Sequence, residues 1–279
     1  MCNFFTRHRE PRNLQAAFKF PELPNDAPRW VVRPTDTERV VAIGEDGGRH
    51  STAMRWGLVP YWAGDLKAGL TTFNHRSEEF TTKAAFKGPW ERGHRCLVPC
   101  DGFFEFTGDK GSKQSWLFRP KDGRVMAFAG IWDSWKGPKD TPLVPLVSFS
   151  IATCAPNATV APIHNRMPVL FTREAEWDAW LNPDAVPSEL RKMLMPADDD
   201  LLETFPVSRD LLRTKEPGPE LLTKIDYAIG AGGLERFLWL TRRLLPILRK
   251  PFHRSCYVTP MAILVRALYG SSASWEKIS

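Results

Sequence analysis

The sequence predicts an α+β protein built on a mostly antiparallel, curled or barrel-like sheet with a few flanking helices. Short runs of branched and aromatic residues recur along the chain, and glycine or proline turns separate them. The helical segments are few and do not alternate regularly with the strands. A regular strand–helix alternation would have indicated a parallel sheet instead.

The predicted strands share a composition rich in valine, isoleucine, phenylalanine and tryptophan. They cover residues 30–32, 39–43, 54–59, 96–98, 103–106, 116–118, 125–132, 147–153 and 169–171. The predicted helices cover residues 13–20 after an Asn cap, 77–86, 173–181 and 187–195.

Charge divides the chain into two parts. Of the 279 residues, 43% are hydrophobic and 25% charged, which is ordinary for a globular protein. Residues 226–279 hold eight Lys/Arg against three Asp/Glu, whereas the first 225 residues hold thirty against twenty-nine. We therefore predict a main domain over residues 1–224 and a basic, partly apolar tail over residues 225–279. A nucleic-acid site in the main domain would need a local basic groove.

The chain is expected to be a cytoplasmic monomer that needs no metal or cofactor. Charged residues occupy positions 7–10, where a signal peptide would be apolar. The uncharged stretch 141–165 contains four prolines and is expected to form strands and turns, not a membrane span. Cys96 and Cys100 have no matching pair of zinc ligands, and the five cysteines are too scattered for a disulfide scaffold.

Four stretches concentrate polar groups among aromatic residues and prolines. They are RWGLVPYW at 55–62, FNHRSE at 73–78, RCLVPCDGFFEF at 95–106 and IHNRMP at 163–168. Each has a structural and a functional interpretation.

Glu105 is the first candidate for chemistry, because it alternates with Phe104 and Phe106 on a predicted strand and points away from them. It is either solvated on an outer face, or desolvated with a raised pKa and suited to proton transfer. His164 is either a structural histidine or a general acid or base. Asn74 either forms a turn or orients a reacting group.

The arginines and tryptophans of these stretches have the same two interpretations. Arg76 and Arg166 either pair with Glu78 or another acid, or clamp phosphates. Trp56 and Trp62 are core residues or, if exposed, platforms for unstacked bases.

Cys2 has a chemical option that no other cysteine in the chain has. Aminopeptidases remove an initiator Met when the next residue is small, which leaves a free α-amine and a thiol on one residue. Such a 1,2-aminothiol attacks an aldehyde twice, first through nitrogen to an imine and then through sulfur to a thiazolidine ring.

Together these stretches resemble the SOS-response-associated peptidase (SRAP) family of abasic-site processing proteins. The resemblance also rests on FAGIW at 128–132, on PVS at 206–208 as a closing strand, and on Cys2 after Met1. It covers residues 1–224.

The resemblance implies covalent capture of abasic sites in single-stranded DNA during the DNA damage and SOS response. It implies that Cys2 forms the thiazolidine, that Asn74 and Glu105 hold and protonate the reacting groups, and that His164 assists sugar ring opening. It also implies a phosphate contact at Arg76 and base wedging by Pro34 and Trp62. Abasic-site lyase activity, peptide cleavage at Met1–Cys2 and partners at the replication fork are further expectations from the family.

Two departures from the family pattern stand out. Many members follow Cys2 with Gly-Arg, whereas this chain has Asn3-Phe4 and so lacks one expected basic contact. The tail after residue 224 matches no part of the family.

Two other functions fit some of the same residues. Cys2, His164 and Asn74 are the residue types of a thiol peptidase, although such a nucleophile needs no position at the N-terminus. A non-catalytic single-strand-binding module would use the tryptophans and arginines but would leave Glu105 and His164 without a task.

Overall fold

The computed structural model describes residues 3–109, 111–138 and 145–227. The strands in this part of the chain are β1 Phe4–Arg7, β2 Arg29–Val32, β3 Thr37–Ile43, β4 Arg49–Trp56, β5 Asn74–Arg76, β6 Arg95–Cys100, β7 Gly102–Thr107, β8 Gln114–Pro120, β9 Met126–Trp135, β10 Leu146–Cys154, β11 Met167–Pro168, β12 Leu170–Phe171 and β13 Leu202–Val207. The helices are α1 Pro11–Phe18, α2 Ala84–Glu91, α3 Glu174–Leu181 and α4 Pro187–Lys192.

Five strands close into a small barrel in the order β10-β4-β3-β6-β9, with β9 pairing back to β10. All the pairings in this ring are antiparallel except β10 with β4. β5 and β11 pair with β10, and β12 pairs with β9. The predicted fold class, a mostly antiparallel and barrel-like α+β fold, is confirmed.

A second sheet, in the order β13-β8-β7-β1-β2, has apolar residues on both faces. Phe5 and Phe103 contribute to the large core that it shares with the barrel. Their neighbours Phe4 and Phe104 contribute to a smaller cluster on the opposite face. Because alternate residues of a strand point to opposite faces, Glu105 lies on the same face of β7 as Phe103.

Two of the predicted helices were misplaced. α1 begins at Pro11, whose fixed φ suits the first turn, and ends where Lys19 turns left-handed at φ 58°. The expected Asn cap is therefore wrong, since Glu10 is the capping residue. Residues 77–82 form turns, and α2 begins only at Ala84. This stretch contains serine and two threonines, which have low helix propensity.

The end of the described chain continues the second sheet. Lys224 forms an isolated bridge with Val207, and the Ile225 amide donates to the Pro206 carbonyl over 3.0 Å. The predicted tail lies outside the described residues from residue 228 onward, so the domain boundary at 224 stays a prediction. None of the helices described here is long and apolar enough to cross a membrane.

Trp56 belongs to the core, so the hypothesis that it forms a platform for DNA bases is wrong. Its side chain is fully buried, and its indole N–H donates to the Phe73 carbonyl over 2.8 Å. Phe5 contacts the ring edge-on at 5.1 Å, and Phe149 stacks on it at 6.4 Å between centroids.

We predict that Trp56→Ala lowers the free energy of unfolding by about 3–5 kcal/mol, because it leaves a large cavity in the core. Denaturant titration followed by far-UV circular dichroism measures this. The matched control is Trp62→Ala at an exposed position, with an expected change within about 0.5 kcal/mol. Equal, small losses in both variants would contradict the assignment of Trp56 to the core.

Candidate functional site

The C-terminal end of β10 brings two of the polar stretches together. β5 runs parallel to it, with Asn74 opposite Ile151 and Arg76 opposite Thr153. β11 pairs antiparallel with the last two residues of β10, with Pro168 also opposite Thr153 and Met167 opposite Cys154. The FNHRSE and HNRMP stretches, far apart in sequence, therefore meet at one end of the barrel.

Glu105 enters this region from the second sheet. Its side chain lies on the face of β7 that points toward the barrel, and the residue is only 2% exposed. The interpretation as a solvated residue on an outer face is therefore wrong. Burial raises the pKa of Glu105 from an ordinary 4.5 to about 7, because desolvation penalises the charged carboxylate.

His164 lies beside this carboxyl group. Its Nε2 atom is 3.8 Å from Glu105 Oε2. The Arg166 backbone N–H donates to His164 Nδ1 over 3.0 Å, which fixes the orientation of the ring. Burial, with a smaller contribution from the charge of Arg166, lowers the pKa of His164 below 6.5. A neutral imidazole thus adjoins a carboxyl group that titrates near neutrality.

Asn74 is buried at the start of β5. The next residue, His75, differs from His164 in its surroundings. The Nδ1 atom of His75 lies 3.0 Å from the Ser150 hydroxyl oxygen, and the ring packs on Phe86. Burial lowers the pKa of His75 to about 3, so the ring is neutral and structural. The strand therefore presents Asn74 and Arg76 on one face and anchors itself through His75 on the other.

Arg166 has a structural role. Its guanidinium forms a bidentate pair with Glu78 at 2.7 and 2.9 Å and donates to the Thr153 carbonyl over 2.5 Å. Its side chain is only 13% exposed. These bonds attach the HNRMP stretch to β10. The geometry favours pairing with Glu78 over a direct phosphate clamp.

Arg76 differs from Arg166 in each of these respects. Its side chain is 54% exposed, and its nearest acid is Glu79 at 3.6 Å. Such a solvated, loosely paired cation is free to take a phosphate.

Two of the described cysteines are unsuited to nucleophilic chemistry. Burial raises the pKa of the Cys154 thiol to about 12 and shifts that of Cys96 in the same direction. Cys2 lies outside the described residues. Within them, no cluster of three or more His, Cys, Asp or Glu side chains is placed to hold a metal ion.

A family model described as SOS response associated peptidase (SRAP) matches residues 1–214. The chain belongs to the SRAP family. It is 34% identical over 228 residues to the abasic site processing protein YoqW of Bacillus subtilis (strain 168), covering 80% of this chain and 99% of that protein. It is 31% identical over 198 residues to the abasic site processing protein HMCES of Gallus gallus, covering 63% of this chain and 58% of that one.

Solved structures share the fold of this SRAP protein. A crystal structure of a protein from Bacteroides thetaiotaomicron matches with a TM-score of 0.72 and 22% identity, covering 81% of this chain and all of that one. A second, from Bordetella bronchiseptica, has a TM-score of 0.62 at 22% identity and covers 74% of this chain and all of that one.

The residues predicted to wedge DNA bases have different settings in this SRAP protein. Trp62 is 55% exposed on the loop after β4, as a base platform requires. Pro34 is half-buried in a turn after β2, next to Thr35, whose φ is 83°. No strand was predicted over β1, which pairs Phe4 with Phe104, the residue before Glu105. A short run of aromatic and polar residues so near the N-terminus was too weak a strand signal.

We predict that Glu105→Gln stabilises the protein at alkaline pH. The native carboxyl group keeps its proton between pH 4.5 and about 7, where the unfolded chain has lost it. Wild-type stability therefore falls across this window, by about 3 kcal/mol in total. The glutamine side chain does not titrate there. The free energy of unfolding of the variant, relative to that of the wild type, should therefore rise by that amount between about pH 4 and about pH 8.

Denaturant titrations of both proteins across this pH range measure the difference. A constant difference would show that the carboxyl group is not desolvated in the native state. Glu203→Gln, at an exposed ion pair with Arg119 on the second sheet, provides the control.

Proposed function

We propose that this protein captures abasic sites in single-stranded DNA by forming a covalent bond through Cys2. The observation that supports the proposal most is the buried Glu105 carboxyl group beside His164, on the strand next to β1. β1 begins at Phe4, and Cys2 is two residue steps before it, a separation of at most about 7 Å. The N-terminal residue would therefore act close to Glu105.

The chemistry requires removal of Met1, after which Cys2 carries a free amine and a thiol. The amine attacks the aldehyde of the ring-opened sugar, and the carbinolamine loses water to give an imine. The thiol sulfur then adds to the imine carbon while the nitrogen takes a proton. One water molecule is released overall, and the product is a thiazolidine.

Glu105 is suited to the proton transfers of this sequence. Expulsion of water from the carbinolamine needs an acid, and sulfur addition needs a base to take the thiol proton. A carboxyl group with a pKa of about 7 is present in both forms near neutrality. His164, neutral and 3.8 Å away, would assist sugar ring opening, and the buried Asn74 would orient the sugar.

The DNA strand would be held by the exposed side chains of Arg76 and Trp62 and by the half-buried Pro34. Arg76 would contact a phosphate that flanks the abasic site, and Trp62 and Pro34 would separate neighbouring bases. Arg166 would act indirectly, by fixing the backbone that orients His164. On this proposal the protein acts as a monomer in the DNA damage response, and an imine that fails to close would cleave the strand as a lyase does.

A thiol peptidase is the alternative that the family description favours. Such an enzyme would pair Cys2 with His164 and would use Glu105 only to orient the histidine, and its nucleophile would need no position at the N-terminus. Covalent capture gives both groups a role and explains why the cysteine stands at position 2.

We predict that the protein forms a heat-stable complex with single-stranded DNA only when the DNA carries an abasic site. A variant with one residue inserted between Met1 and Cys2 should form no complex, because its cysteine nitrogen is an amide that cannot form an imine. Denaturing gel electrophoresis with labelled oligonucleotides measures both results.

The matched control inserts the same residue into the loop at Gly111, which leaves the N-terminus unchanged and should crosslink normally. Crosslinking at the normal rate by the N-terminally extended variant would disprove the aminothiol mechanism. Peptide cleavage without crosslinking would support the peptidase instead.

A further inference from the structure

The loop after β4 displays two neighbouring aromatic rings. Tyr61 is 59% exposed and Trp62 is 55% exposed, although both follow a strand whose last residue, Trp56, is fully buried. The family resemblance gave a role to Trp62 alone.

Side chains from β9 and β10 form hydrogen bonds with the backbone of every second residue of this loop. The Val59 amide donates to the Ser148 hydroxyl over 2.8 Å, and the Tyr61 amide donates to Asp133 Oδ2 over 3.0 Å. The indole N–H of Trp135 donates to the Ala63 carbonyl over 2.6 Å. The backbone is therefore held rigidly while the two rings remain outside, so little conformational entropy is lost when a ligand stacks on them.

The side chain of Arg92 lies over the Tyr61 ring. Its guanidinium lies 5.1 Å from the ring centroid, within the range of a cation–π contact. Its Nη2 atom donates to Asp133 Oδ1 over 2.9 Å. The buried Asp133 thus holds the backbone of Tyr61 with one oxygen and the cation beside its ring with the other.

The loop is joined to the candidate site through the segment just before Asn74. The Thr72 hydroxyl donates to the Leu58 carbonyl over 2.5 Å. The indole N–H of Trp56, two residues before Leu58, donates to the Phe73 carbonyl over 2.8 Å. The start of the loop is therefore attached to the segment that leads into Asn74 and Arg76.

We infer that Tyr61 and Arg92 form a second nucleobase-stacking site for the single strand, beside Trp62. A base stacks on the Tyr61 ring, and Arg92 contacts the adjoining phosphate. The inference rests on the proposed function, because it takes single-stranded DNA as the ligand. Aromatic rings paired with cations are typical of surfaces that bind single strands without base specificity.

The other occupant that this surface could take is a protein partner. Leu66 and Leu70, on the short 3-10 helix Leu66–Leu70 that continues the loop, are also exposed. A nucleic acid is favoured because the ring lies beside a fixed arginine, and Lys67 adds a second exposed cation to the loop. If removal of the Tyr61 ring leaves the affinity for DNA unchanged, a protein remains the other candidate occupant of this surface.

The test measures the affinity for an undamaged single-stranded oligonucleotide by fluorescence anisotropy, so no covalent chemistry is involved. Tyr61→Ala should weaken binding about tenfold, and Tyr61→Phe should restore it, because stacking needs the ring and not the hydroxyl. Arg92→Ala should weaken binding and reduce the slope of log affinity against log salt concentration by about 0.7.

Arg119→Ala is the matched control for the arginine. Arg119 also lies over an aromatic ring, that of Phe205 at 4.9 Å, and also pairs with a carboxylate, Glu203, but it belongs to the second sheet. Its removal should leave the salt dependence nearly unchanged. Met195→Ala, at another exposed apolar side chain, controls for Tyr61→Ala.

The outcomes separate this inference from the proposed function. Wild-type affinity in Tyr61→Ala would overturn the inference, while crosslinking by the unaltered chain would leave the proposed function intact. If the wild type binds the strand, Tyr61→Ala weakens that binding, and no crosslink forms on abasic DNA, the stacking site is supported and covalent capture is disproved.

Discussion

The site depends on the burial of one carboxyl group between two sheets. Glu105 reaches the barrel side of the second sheet because β7 alternates its residues between two apolar clusters, and the cluster under Phe104 takes the other face. Water is excluded there, so the proton stays on the carboxyl group to about pH 7. The bonds from Arg166 to Glu78 and Thr153 hold the backbone that orients His164 toward it. Without those bonds the carboxyl group would still be buried, but the His164 ring would no longer be held in its orientation toward Glu105.

This arrangement places a desolvated group where it lowers stability, which is typical of a functional site. A glutamine of the same shape would fold more stably above neutrality, whereas only the carboxyl group can exchange protons. His75 shows the contrast within the same strand pair. It is also buried and neutral, yet it contacts Ser150 and Phe86 and serves only packing. Burial alone therefore does not single out a group for chemistry, and Glu105 differs from His75 in lying 3.8 Å from a second titratable side chain, that of His164.

The strands could be predicted from the sequence more completely than the arrangement of the site. Period-two alternation around Glu105 predicted that its side chain points away from Phe104 and Phe106, but not which face is buried. That depends on β1 and on the barrel, which are remote in sequence.

Arg76 and Arg166 looked equivalent as arginines of polar stretches. They differ because the backbone places Arg166 within reach of both Glu78 and Thr153. The 77–86 helix was predicted from apolar spacing alone, and turn residues displaced it toward the C-terminus. Trp56 and Trp62 have the same residue type, yet one ends a barrel strand and the other follows Pro60 on a loop.

Replacing Cys2 with Ala separates the two reactive groups of this residue, because it keeps the α-amine after Met1 removal and deletes only the sulfur. Imine formation should survive, since it needs the amine and an acid to expel water. Borohydride should therefore trap Cys2→Ala on abasic single-stranded DNA, and Glu105→Gln in the same background should slow the trapping. Without borohydride no heat-stable band should form, because the thiazolidine ring cannot close. A heat-stable crosslink from Cys2→Ala in the absence of reductant would contradict it, because sulfur would then not be the closing nucleophile.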